Sequence, residues 1–82
     1  MKAEIWIGYK KEEEAEAIAK AVSPDNLKTP SGLNVETSRK DKFVVTLIEC
    51  ERGLETFIAT IDDLLSCIQA AERTLGVARK HG

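Results

Sequence analysis

The chain reads as an α+β domain of order β-α-β-β-α, a three-stranded antiparallel sheet with two helices on one face. Three observations predict this. Residues 54–75 contain neither Pro nor Gly and repeat their apolar residues at helical spacing. Residues 33–38 and 43–50 read as two strands joined by a short polar turn, Arg39-Lys40-Asp41-Lys42. Residues 3–9 alternate in the manner of a strand and run into an alanine- and glutamate-rich helical segment.

In the first strand Ile5 and Ile7 point one way and Trp6 the other. Trp6, the only tryptophan, is either covered by a partner or laid over a helix end as an edge-strand aromatic. The first helix, residues 10–22, gathers Ala15, Ile18, Ala19 and Val22 on one face. Glu12, Glu13 and Glu14 crowd its first turn, where the positive end of the helix dipole favours carboxylates, and Glu16 can reach Lys20 one turn on. The triplet therefore reads as a solvated helix start rather than a metal or catalytic cluster. Ser23, Pro24, Asp25 and Asn26 end the helix, because the residue before a proline avoids helical angles. The loop through Pro30 and Gly32 carries no phosphate-cradling glycine pattern.

The second strand alternates Leu33, Val35 and Thr37 with Asn34, Glu36 and Ser38, as an edge strand with one buried face does. The third strand is apolar on both faces, Phe43, Val45 and Leu47 against Val44, Ile48 and Cys50. Such a strand belongs in the centre, covered on both sides. Right-handed connection rules accept the spatial order one, three, two. After the bend at Glu51-Arg52-Gly53, the long helix carries three apolar rows: Leu54, Ile61, Ile68 and Leu75; then Phe57, Leu64 and Ala71; then Ile58 and Leu65. At about 1.5 Å per residue it spans roughly 33 Å, and its stripe is wider than the ~100° one sheet needs. Gly76 is placed to cap it, and the basic end Arg79-Lys80-His81 complements the helix C-terminus.

Composition narrows the function. The 82 residues make one domain, residues 1–82, with a single modest core. Twelve basic and fourteen acidic residues leave a net charge of −2, which gives no overall attraction to nucleic acid. Charged residues make up 32% of the chain, as suits a soluble protein. No apolar run approaches the roughly 20 residues of a membrane span, and MKAEIW has no signal-peptide core, so a cytoplasmic domain is expected. Cys50 and Cys67 form no CxxC pair and sit in apolar segments, where each is expected as a small buried hydrophobe.

Chemistry is conspicuous by its absence. The one histidine, His81, lies in the last two residues, so no Ser-His-Asp or Cys-His arrangement can be assembled. Asp62 and Asp63 are adjacent on a helix and point about 100° apart, which is not the geometry of a paired acid and base. No enzyme, no cofactor and no metal are expected. What the pattern does suggest is a protein partner, since two helices on one face leave the other side of the third strand bare.

The same residues resemble a known family. The SPDN turn (Ser23 to Asn26) after an alanine-rich helix, the strand pair, and a long helix starting beyond an acidic-Arg-Gly bend are similar to the small CTAG/Pcc family, the dimerisation subunits of the KEOPS complex. The family's long helix begins with a Leu-Arg-small-x-x-Asn-Ser-x-Leu pattern. Here Phe57, Ala59 and Leu65 keep its apolar, small and apolar characters, whereas Ile58 replaces the arginine and Asp62-Asp63 replace Asn-Ser. The departures resemble the additional archaeal KEOPS subunit that pairs with the standard one; an ordinary member with a drifted motif is the other possibility.

The resemblance implies a non-catalytic subunit. KEOPS installs the threonylcarbamoyl group on the adenosine next to the anticodon in tRNAs that read A-starting codons. Its chemistry belongs to a large carbamoyltransferase subunit, supported by a kinase-like ATPase. A member of this family forms a homodimer, or a heterodimer with another small subunit, and meets tRNA only indirectly. The partner surface is expected on the sheet at Trp6, Phe43, Val44, Val45, Leu47 and Ile48, and on the long helix at Leu54, Phe57, Ile58, Ile61, Asp62, Leu65 and Ile68. A free-standing RNA-binding α/β domain is the competing reading. Against it stand the acidic balance, the missing GxxG loop and the expected lack of paired aromatics on a sheet face.

Overall fold

A computed structural model describes residues 1–22 and 31–80. The elements follow in the order β1 (Lys2–Gly8), α1 (Glu12–Val22), β2 (Leu33–Lys40), β3 (Phe43–Cys50) and α2 (Leu54–Leu75). The sheet order is β1-β3-β2, with β3 antiparallel to both neighbours. The expected SPDN turn falls outside the described residues, as does His81. Among the described residues no helix is long and apolar enough to cross a membrane.

The hairpin turn is tighter than the polar tetrapeptide suggests. Arg39 and Lys40 remain in β2, Lys40 pairs with Phe43, and Asp41-Lys42 alone connect the strands. Asp41 takes the turn at φ 53, a left-handed conformation that aspartate tolerates better than most side chains. Arg39 Nη1 donates to the Asp41 carbonyl at 2.9 Å and steadies it.

Pairing sorts the strand residues onto two faces, since partners across a ladder point the same way. One face carries Ile5 and Ile7, Val44, Thr46, Ile48 and Cys50, and Leu33, Val35 and Thr37. Both helices pack here. Ala15, Ile18, Ala19 and Val22 of α1 and Leu64 and Ile68 of α2 form a single core with Val44 and Ile48. The one buried polar side chain of that core face, Thr46, shares a hydrogen bond with Thr37 across the ladder at 3.0 Å between hydroxyl oxygens.

Tyr9 departs from the expected strand. Its N–H donates to the Lys42 carbonyl at 2.8 Å, but it stands beyond the end of β1 and its ring is buried in the core. The phenol donates to Glu72 Oε2 of α2 at 2.7 Å. Arg79 Nε donates to the same oxygen, also at 2.7 Å. The segment after α2 is thus a strap. Gly76, at φ 66, turns the chain back in the left-handed conformation glycine favours, Val77 packs against the core, and Lys80 N–H donates to the Gly8 carbonyl at 2.9 Å. Arg79 therefore engages a side chain of α2, Glu72, rather than the helix's terminal carbonyls. Burial first, then the hydrogen bond and charge of Glu72, push the Tyr9 phenol well above its ordinary value.

Candidate protein-interaction surfaces

Among the described residues, no helix covers the second face of the sheet. It presents four crosswise rows: Lys2, Glu49 and Asn34; Glu4, Leu47 and Glu36; Trp6, Val45 and Ser38; Gly8, Phe43 and Lys40. Trp6 and Phe43 meet edge to face, with ring centroids 5.7 Å apart and planes at 67°. Lys40 Nζ stands 5.7 Å above the Trp6 ring, and the Trp6 indole N–H donates to Glu4 Oε1. The Phe43 ring lies over Gly8, where an added Cβ would stand 3.1 Å from it. Glycine is what lets the ring lie down on the strand.

Exposure shows how bare this face is. Trp6, Phe43 and Leu47 remain 47%, 42% and 41% exposed, and Val45, paired across the ladder with Trp6, is buried. Isolated exposed apolar residues are ordinary, but a contiguous aromatic and aliphatic patch on a central strand marks an interaction surface. Trp6 points away from both helices, so the helix-end alternative does not hold.

Not every expected sheet residue lies on this face. Val44 and Ile48 are 1% and 0% exposed beneath the helices, because a strand alternates its side chains and the even-numbered residues of β3 face the core. In the folded chain they build the core and are unavailable to a partner. Trp6, Phe43, Val45 and Leu47 are brought together.

The long helix divides in the same way. Ile68 is wholly buried, and Phe57 and Ile61 are half-buried against the core. Leu54 and Ile58 are exposed, Leu65 half-buried and Asp62 exposed. Helical spacing places Leu54, Ile58 and Leu65 on one flank beside the core-facing rows, with Asp62 at its rim. This flank is a second, narrower apolar strip. Cys67 is also exposed, contrary to the expectation of a buried hydrophobe, because it lies on the side of α2 turned away from the core; Cys50 is buried.

The remaining surface has little that converges. A shallow hollow of about 290 Å³ lies between the Met1 end of β1, Asn34, Glu49 and Glu51, and its walls are mixed polar and apolar. Among the described residues no three His, Cys, Asp or Glu side chains are grouped to hold a metal ion. The arrangement is that of a small α+β subunit with an uncovered sheet face and an uncovered helix flank.

Comparison with known proteins names the class. The family model Pcc1, described as transcription factor Pcc1, matches residues 2–76, and the chain belongs to the Pcc1 family. Among solved structures, a chain in the crystal structure of the binary complex Gon7-Pcc1 superposes with a TM-score of 0.81 at 16% identity, over 93% of each chain. At that identity the likeness establishes the fold, β1-β3-β2 sheet and helix pair included. The search of curated proteins finds no match.

Proposed function

We propose that this chain is a non-catalytic pairing subunit of a KEOPS-type assembly, supporting threonylcarbamoyl modification of the tRNA adenosine next to the anticodon. The observation that carries the reading is the uncovered patch of Trp6, Phe43 and Leu47 on the central and flanking strands. A small domain that leaves such a patch bare gains most by burying it against another chain. Membership of the Pcc1 family points the same way, and the related chain comes from a structure of a two-protein complex. The sheet face pairs with a second small subunit, while the Leu54, Ile58 and Leu65 flank of α2 is offered as a helix-to-helix contact to the larger carbamoyltransferase subunit. The pairing and docking functions are thus separated, one on the sheet and one on the helix. The assembly acts in the cytoplasm.

One observation favours the competing reading. Trp6 and Phe43 do stand together on an open sheet face with Lys40 nearby, contrary to the expected lack of paired aromatics, and such pairs can stack bases. Glu4, Glu36 and Glu49 share that face and make it net acidic, which opposes a phosphate backbone. The deciding experiment is a tagged pull-down from the source organism's lysate with mass spectrometry of what co-elutes. The expected result is recovery of a carbamoyltransferase, a kinase-like subunit and a second small family member; recovery of RNA alone would reverse the assignment.

A further inference from the structure

The strap beyond α2 is lightly attached. Its root is fixed, because the Gly76 N–H donates to the Arg73 carbonyl at 3.3 Å and the Val77 N–H to the Glu72 carbonyl at 2.9 Å. Past that root, the described attachments are Val77 against the core, Arg79 Nε on Glu72, and the Lys80 N–H on the Gly8 carbonyl. Ala78 and Lys80 are exposed. A segment with so few buried apolar contacts opens more readily than the sheet it lies against.

The catch of this strap is a shared atom. Glu72 Oε2 accepts from the Tyr9 phenol and from Arg79 Nε, each at 2.7 Å. A guanidinium and a carboxylate pair most strongly as a fork, with two parallel N–H···O bonds from one edge of the cation to both oxygens. Here the fork is half made. Arg79 Nη2, which shares that edge with Nε, is buried and has no hydrogen-bond partner. A buried donor left without a partner keeps its full desolvation penalty, so the closed strap holds its cation at a disadvantage. Tyr9 fixes the carboxylate in this position, since its ring is locked in the core and its phenol is aimed at Oε2.

We infer that Tyr9 and Arg79 compete for Glu72, and that this competition makes residues 77–80 a latch set to open on its own, ahead of the sheet and the helices. The more firmly the phenol holds Glu72, the less of that carboxylate remains for the strap. Opening returns the Arg79 guanidinium to water, leaves Glu72 to Tyr9 alone, and bares the Gly8 end of β1. The device is internal to the chain and independent of the pairing role proposed above.

Amide hydrogen exchange on the intact chain reads the latch. The Lys80 N–H reports the strap, and the β3 amides report global unfolding. In the parent, Lys80 protection should lie at least about tenfold below that of the β3 amides and should not respond to low concentrations of urea. Tyr9→Phe separates competition from simple structural support. It should raise Lys80 protection about threefold, as Arg79 completes its fork, while the β3 amides lose protection. In an Arg79→Lys background the same substitution should bring no such gain, because an ammonium has no fork to complete. Lys80 protection that is unchanged or lowered by Tyr9→Phe would overturn the competition, as would a gain that persists in the lysine background. A parent Lys80 amide that exchanges only together with the β3 amides would overturn the latch.

Discussion

The two faces of the sheet are drawn from neighbouring residues of the same strand, yet they do different work. Val44, Thr46, Ile48 and Cys50 of β3 are buried beneath α1 and α2, while Phe43 and Leu47, interleaved with them, are about two-fifths exposed. Hydrophobicity alone does not separate these sets. What separates them is the number of helices available: two helices cover one face of a three-stranded sheet, and among the described residues no further element reaches the other. The covered face holds the fold together, and the bare face is the one proposed above for association.

The sharpest break of that comparison uses two adjacent residues. Ile48→Ala removes a wholly buried side chain from under the helices and should cost about 3 kcal/mol in urea unfolding. Leu47→Ala, one residue away on the bare face, should cost less than about 1 kcal/mol in the isolated chain while weakening binding to the proposed second small subunit about tenfold or more. Equal losses of unfolding free energy would erase the distinction between the faces.

A smaller effect is expected at the polar anchor of the covered side. Tyr9→Phe removes the phenol that donates to Glu72 and should cost about 1 kcal/mol. Its pH signature is more telling than its size. The folded phenol holds its proton above the pH at which an unfolded tyrosine loses it, near 10. Its contribution is therefore complete below about pH 10 and is lost as the pH rises above that value. Unfolding free energies measured from pH 8 to pH 11 should fall more steeply in the parent than in Tyr9→Phe; parallel curves would remove Tyr9 as the cause.

The smallest effect marks the background. Glu16 and Lys20 form an exposed pair one helical turn apart at 3.7 Å, so Lys20→Ala should change stability by no more than about 0.5 kcal/mol and leave association untouched. Thermal unfolding beside the Tyr9 variant is the appropriate control.

Much of this architecture was legible in the residues. The doubly apolar run of β3 placed it between two strands that each alternate, and the glycine-free apolar rows of residues 54–75 predicted α2 end to end. The choice of covered face was not legible, because it depends on how the crossover lays the helices down; Val44 and Ile48 therefore appeared as partner residues along with Phe43 and Leu47. Nor did residues 77–80 announce a strap. Its anchors, Glu72 for Arg79 and the Gly8 carbonyl for Lys80, lie on other elements, and nothing in Val-Ala-Arg-Lys encodes them locally. On α2, spacing identified an over-wide apolar stripe, but only packing divided it between Ile68 inside and Ile58 outside.

The strap also bears on how the sheet ends. β1 is an edge strand, and an edge strand is a template on which further strands can be added without limit, the route to fibrous aggregates. The Tyr9 N–H is turned toward β3, so the Gly8 carbonyl of the same trans peptide is turned outward, along the free margin. Lys80 occupies that carbonyl. The last residues of the described chain therefore act as a stopper at one end of the open margin, where an incoming strand would otherwise find its acceptor.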